Sequence, residues 1–295
     1  MADVLTTVAD RKPAPLVPAP VAVRRRTAKG PLTYLFRVIV VTYLFFLVAW
    51  PVSLVAQKTF ADGFTALDTA LSDPSITFAL KLTAIVAVQA VLINLVFGVA
   101  ISLLLVRFEF PGKRLLSALI DLPLSVSPVV VGLALVLVYG GRDGWFGPAL
   151  QDAGLQVIFA TPGMVLATTF VSLPLVIREV VPVLTEIGTE QEQAARSLGA
   201  NAVQTFRRIT LPGIKWAVVY GVVLSLARSL GEFGAVKIVS GNFEGQTQTA
   251  TLAVEQKYQD FQQSSAYATA FLLAAVSVAC IVVVSIIRPK SERKR

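Results

Sequence analysis

The sequence predicts an all-α integral membrane protein of six transmembrane helices, and three observations carry that expectation. Of 295 residues, 55% are hydrophobic and only 15% are charged, whereas a soluble domain carries about 25% charged residues; the mean hydropathy is +0.72. Several apolar runs free of charge are as long as the roughly 20 residues a helical span needs. The basic residues are also segregated: with six spans, 20 of the 26 Lys and Arg fall on the side of both termini, as the positive-inside rule requires. The formal charge of +8 therefore points to membrane topology and a lipid bilayer, not to nucleic acid. Histidine is absent, which removes the commonest metal ligand and the usual general base, so neither a metal site nor a catalytic residue is expected. The single cysteine, Cys280, lies in an apolar run and can form no intrachain disulfide.

In chain order, residues 1–33 are rich in proline and alanine and carry Arg24-Arg25-Arg26, which predicts a disordered cytoplasmic tail. The apolar run that follows is too long for a signal-peptide h-region. The membrane domain is expected over 34–288. Span one covers about 34–56, with Arg37 snorkelling at its inner end. The segment 57–74, carrying Asp62, Asp68 and Asp73, forms an outside loop. Span two covers 75–106 and has no charge from Leu82 onward. A basic turn, 107–114, leads to span three at 115–139, where Pro123 and Pro128 demand kinks. A second outside loop, 140–156, brings Trp145 to the interface. Span four covers 157–177, span five 215–236 and span six 264–287. The longest outside loop is 237–263, and residues 289–295 form a basic cytoplasmic tail.

Between spans four and five lies the polar stretch 189–212, TEQEQAARSLGANAVQTFRRITLP. Thr189 and Glu192 stand at capping-box spacing. Ala194, Ala195 and Leu198 then share one helical face, and Gly199 suits the left-handed residue that ends a helix. Asn201 can cap a second helix with Ala202, Val203 and Phe206 on one side, and Leu211-Pro212 is expected to stop it. The stretch reads as a compact helical knob on the cytoplasmic side.

Span five carries a second cluster, Ala227-Arg228-Ser229-Leu230-Gly231-Glu232. Arg228 and Glu232 are four apart and can pair. Ionisable groups in a span usually face the bundle interior or a watery path. They either line a watery path or a contact between two such subunits, or form a structural pair only. Asp121, Asn94 and Gln89 are lesser candidates, since polar groups in spans more often bond neighbouring helices. The outside segment 241–249, GNFEGQTQT, is rich in donors and suits either a docking protein or plain solvation.

The knob resembles the coupling loop of ABC importer permeases, E-A-A, three residues, G, nine residues, I-x-L-P. Here it runs Gln193-Ala194-Ala195, then Gly199, then Ile209-Thr210-Leu211-Pro212 at the same spacing. Gln193 stands where the family has its acid, and Glu192 lies one residue earlier. The resemblance implies that Glu192, Gln193, Ala194, Ala195, Leu198, Gly199, Phe206, Ile209, Leu211 and Pro212 seat against a separate cytoplasmic ATPase. The chain has no G-x-x-x-x-G-K-[S/T], so ATP and Mg would be held by that partner and no cofactor by this chain.

Further runs are similar to the W-type subunits of sulfate/thiosulfate permeases. They are Asp121-Leu122-Pro123 with Ser127–Gly132, Arg178–Leu184, Ala227–Val236 with Val239-Ser240-Gly241, and Gly245–Thr249. This resemblance covers 34–287. It implies a MetI-like fold in the plasma membrane with both termini cytoplasmic, and a heterodimer with a T-type permease. It also implies an ATPase dimer, an extracytoplasmic sulfate-binding protein, and alternating access. Permeases for other tetrahedral oxyanions, molybdate above all, are the near alternative. An intramembrane protease is a poor reading, for there is no histidine base and Gly140-Gly141-Arg142-Asp143 breaks the Gly-x-Gly-Asp spacing of the aspartyl type.

Overall fold

A computed structural model describes residues 31–287, and among them every regular element is a helix. The tail expected at 1–33 lies outside the described residues except for 31–33, which already belong to the first helix; the tail at 289–295 lies outside them entirely. The chain divides into two compact units, Met1–Pro51 and Val52–Arg295. The first carries most of helix α1, residues 31–59, which widens into a π-helical turn at Phe45–Ala49. Phe45, Phe46 and Trp50 meet edge-to-face or tilted across that turn, with ring centroids 5.5 to 6.3 Å apart.

In the second unit the helices are α2 (Thr65–Ser72), α3 (Pro74–Arg107), α4 (Lys113–Ser125), α5 (Pro128–Tyr139) and α6 (Gly147–Asp152). They continue as α7 (Thr161–Ile187), α8 (Glu190–Ser197), α9 (Ala202–Leu230), α10 (Gly234–Ser240), α11 (Ala250–Gln259) and α12 (Gln263–Ile287). Five of the described helices, α1, α3, α7, α9 and α12, are long and apolar enough to cross a membrane, and α4 with α5 makes a sixth, broken span.

Four expectations are corrected. Span three is broken, as expected, but by one sharp corner ahead of Pro128 and not by local kinks at both prolines: α4 and α5 meet at 115°. The break falls at Val126-Ser127, both extended, because the residue before Pro128 is disfavoured in the helical region; Pro123 is carried inside α4. Span four runs on to Ile187, since the charges that suggested its end have partners there, and Gly188, at φ +62°, terminates it. Span five ends at Leu230, so Arg228 and Glu232 do not share one helix. The outside loop 237–263 instead folds back as α10 and α11, whose Ala235, Val236, Val239, Leu252 and Ala253 are buried.

The core forms around α3 and α7. Leu82, Val86, Met164, Val171, Val236 and Leu252 make one cluster, and Val99, Val176, Val180, Leu184, Ile214 and Val218 a second. Two glycines let three helices meet at Val176. A Cβ on Gly98 would stand 2.8 Å from Val176 Cγ1, and one on Gly221 2.9 Å from Val176 Cα. Small residues at such crossings replace the hydrophobic drive that lipid does not supply.

At the far end of α3, Asp73 caps the helix. Its Oδ1 accepts from the Ser75 amide and hydroxyl at 2.8 and 2.7 Å, and Lys257 of α11 donates to Oδ2 at 2.9 Å. Partial burial alone would raise this carboxyl, but the Ser75 and Lys257 hydrogen bonds outweigh it and lower it from 3.8 to about 2. A depressed folded-state pKa contributes stability that is present above 3.8 and is lost as pH falls toward 2. Asp73→Asn is expected to lower the melting temperature of the purified protein by an amount corresponding to about 1–2 kcal/mol at neutral pH. The gap between wild type and variant should close as pH drops from 4 to 2; a gap independent of pH would show that the charge contributes nothing.

Candidate functional site

Two constellations hold the functional candidates. The first is the knob. Its first helix, α8, ends as expected: Gly199 sits at φ +87°, its amide donates to Arg196 O at 2.9 Å, and the Ala200 amide reaches back to Ala195 O at 3.0 Å. This six-to-one closure satisfies carbonyls that would otherwise face solvent unpaired. Asn201 then forms a full capping box, its Oδ1 accepting from the Gln204 amide at 2.8 Å while Gln204 Oε1 accepts from the Asn201 amide at 3.0 Å.

Two local expectations fail. Thr189 makes no capping bond to the helix, and its hydroxyl accepts instead from Gln193 Nε2 at 3.0 Å. Leu211-Pro212 does not stop the second helix, which runs into the membrane as α9. A π turn at Phe206–Thr210 precedes the proline, and the Leu211 amide bonds back to Phe206 O, five residues away. The widened turn gives the ring room where a regular α turn would clash.

The outer surface of the knob is mixed, with exposed Gln193, Arg196 and Arg208 around two exposed apolar side chains. Leu198 is 90% exposed and Val203 65%, and a shallow cleft of about 290 Å³ beside Leu198 is lined by Ala195, Leu198, Gly199, Gln204, Arg208 and Ile209. Gln193, Ala194, Leu211 and Pro212 are exposed as well, whereas Phe206 packs inward on the second core cluster.

Glu192 turns inward too and is buried at 8% exposure. Arg107, the last residue of α3, donates from Nε to both of its oxygens at 3.2 and 3.1 Å, and from Nη2 to Oε1 at 3.1 Å. The same guanidinium bonds the carbonyls of Leu184 at 3.1 Å and Gly188 at 2.8 Å, and the Thr210 hydroxyl donates to Glu192 Oε1 at 2.9 Å. Both charged side chains are 11% exposed. In such a site removing one partner strands the other charge, at about 3–5 kcal/mol. Sequence spacing placed Arg107 in a basic turn and gave no hint of this contact, which joins residues 85 apart.

The second constellation sits where α9 breaks. Glu232 is 3% exposed; its Oε2 lies 2.7 Å from Arg228 Nη1, and its Oε1 accepts from the Ala235 amide at 3.1 Å, in the first turn of α10. Its carbonyl accepts from the Thr251 hydroxyl of α11 at 2.9 Å. The expected pair forms, and it also fastens the reversal of the chain. Nearby, Asn94 of α3 donates to Ser172 of α7 at 2.8 Å and to Ser225 of α9 at 3.3 Å, and Ser229 donates to Ser172 at 3.3 Å. This seam is fully buried between the three helices. Asp121 is not in it: half-exposed, it accepts from Arg178 Nε and Nη2 at 3.1 and 3.0 Å. The segment 241–249 is divided, with Phe243 and Glu244 exposed and Thr247, Gln248 and Thr249 buried.

Residues 94–294 match the family described as binding-protein-dependent transport system inner membrane component. The chain is 47% identical, over 85% of its length and 88% of the relative's, to the sulfate transport system permease protein CysW of Synechococcus elongatus. It is 36% identical, over 76% of its length and 80% of the relative's, to the sulfate transport system permease protein CysT of Salmonella typhimurium. Among solved structures, a bacterial ABC transporter involved in the import of the acidic polysaccharide alginate superposes with a TM-score of 0.72, covering 87% of this chain and 94% of that one at 16% identity.

Proposed function

Because the chain belongs to the family of binding-protein-dependent transport system inner membrane components, we propose that it is the W-type permease subunit of an ATP-driven sulfate/thiosulfate importer. The observation that carries the substrate is the 47% identity to a sulfate permease across 85% of the chain. The exposed, doubly capped knob supports the transport mode: it offers a preformed surface bearing exposed Leu198 and Val203 to a separate ATPase. In this reading the knob and both termini face the cytoplasm, and a T-type permease completes the pathway. A dimer of ATPase subunits seats on the two knobs. An extracytoplasmic binding protein delivers the anion to the cavity between the permeases, and closure of the ATPases on ATP switches the spans between two arrangements. This chain itself carries out no chemistry; ATP and Mg are held by the partner.

The test is ATPase activity of the reconstituted complex with its binding protein. Sulfate-loaded binding protein is expected to raise turnover several-fold, and molybdate is expected to leave it at the basal rate. Stimulation by molybdate alone would keep the importer and overturn the substrate.

A further inference from the structure

We propose that Arg107 is a positioning residue which locks the coupling knob to three spans at once, so that a displacement of the knob reaches the membrane domain undamped; this rests on the reading above. The first helix of the knob, α8, is attached to the chain by two soft joints. On one side Gly188 lies at φ +62°, and on the other Gly199 at φ +87° is followed by the π turn Phe206–Thr210. Joints of this kind absorb movement. The single carboxylate of Glu192 bypasses both. It is held by Arg107 from α3 and by Thr210 in the π turn of α9, while the same guanidinium ties down Leu184 and Gly188 at the end of α7. With the clasp closed, α8 is an extension of three spans. With it open, α8 hangs on its glycines.

The arrangement also divides labour along the motif. Glu192 faces the protein interior and is committed to Arg107 and Thr210, so the surface turned outward is that of Gln193, Ala194 and Leu198. Glu192 governs transmission, and its neighbours govern docking.

The experiment uses the complete transporter in proteoliposomes and reads sulfate taken up per ATP hydrolysed. Arg107→Ala and Glu192→Gln are each expected to lower that ratio roughly tenfold, and the double variant no further, because the two residues act as one unit. A double variant whose losses multiply to about a hundredfold, or singles whose ratio equals wild type, would overturn the proposal. If Arg107→Ala does not insert, Arg107→Lys takes its place, since it keeps the charge and loses the fork that reaches two carbonyls and a carboxylate. A second readout separates clasp from general damage. Spin labels at Glu109 and Ser197, in a Cys280→Ser background, should report one narrow distance that broadens in the Arg107 variant. An unchanged distribution would mean that the knob is held by something else. Wild-type complex that takes up no sulfate would refute the transport assignment instead, while the label distances would still test the clasp.

Discussion

Gly199→Val is expected to release the ATPase from the permease while leaving the permease in the membrane. A Cβ at this position meets nothing within 4 Å, so space is not the constraint; the backbone at φ +87° is. An L-residue held in the left-handed region costs roughly 1–2 kcal/mol, and β-branching adds to it. The loop escapes this cost by rotating out of that region, and the Gly199 and Ala200 amides then lose Arg196 O and Ala195 O. Leu198 and the cleft beside it move with the loop, so the docking face is displaced. Retention of the ATPase on the tagged permease should fall at least tenfold, equivalent to about 1.4 kcal/mol, and uptake with it. Gly199→Asn, which tolerates the left-handed conformation, should retain most of both. Full co-purification with the valine variant would remove the knob from the coupling role.

The second large effect is expected at the break of α9. Glu232→Ala removes the partner of Arg228 and the acceptor of the Ala235 amide together. A fully buried pair broken in this way costs about 3–5 kcal/mol. Arg228 is 38% exposed, so solvent screening reduces the cost here to about 1–2 kcal/mol. That is too little to prevent insertion, but enough to loosen the reversal from which α10 and α11 enter the core. Uptake should fall roughly tenfold at unchanged membrane levels. Glu232→Gln keeps the acceptor and removes the charge. It should resemble alanine if the charge itself matters, and wild type if only the cap on α10 does. Wild-type uptake in both variants would reduce the pair to an incidental contact.

Much of this was legible in the sequence because lipid imposes simple demands. Long uncharged runs marked α3, α7 and α12, and the conformational freedom of Gly199 and the capping oxygen of Asn201 marked the joints of the knob. What escaped was set by contacts distant in sequence. Arg178 looked like the end of a span, but Asp121 from another helix accepts its guanidinium and lets α7 continue. Glu192 looked like a local cap because Thr189 stands three residues before it; Arg107 and Thr210 compete for the carboxylate and win. The stretch 237–263 read as an outside loop, since its polar residues outnumber its apolar ones. Yet Leu252 and Ala253 bury one side of α11, and Thr83 Oγ1 of α3 accepts from the Ala250 amide at its start. The π turn ahead of Pro212 shifts a hydrogen bond by one residue, which hydrophobic periodicity does not register.

The measurement that tests the central claim most directly is uptake of labelled sulfate into proteoliposomes holding this chain, a T-type permease, the ATPase and the binding protein. The account predicts accumulation that requires ATP in the compartment facing the knob, is suppressed by excess thiosulfate, and is untouched by molybdate. Sulfate accumulation without ATP, or uptake of molybdate in place of sulfate, would contradict it.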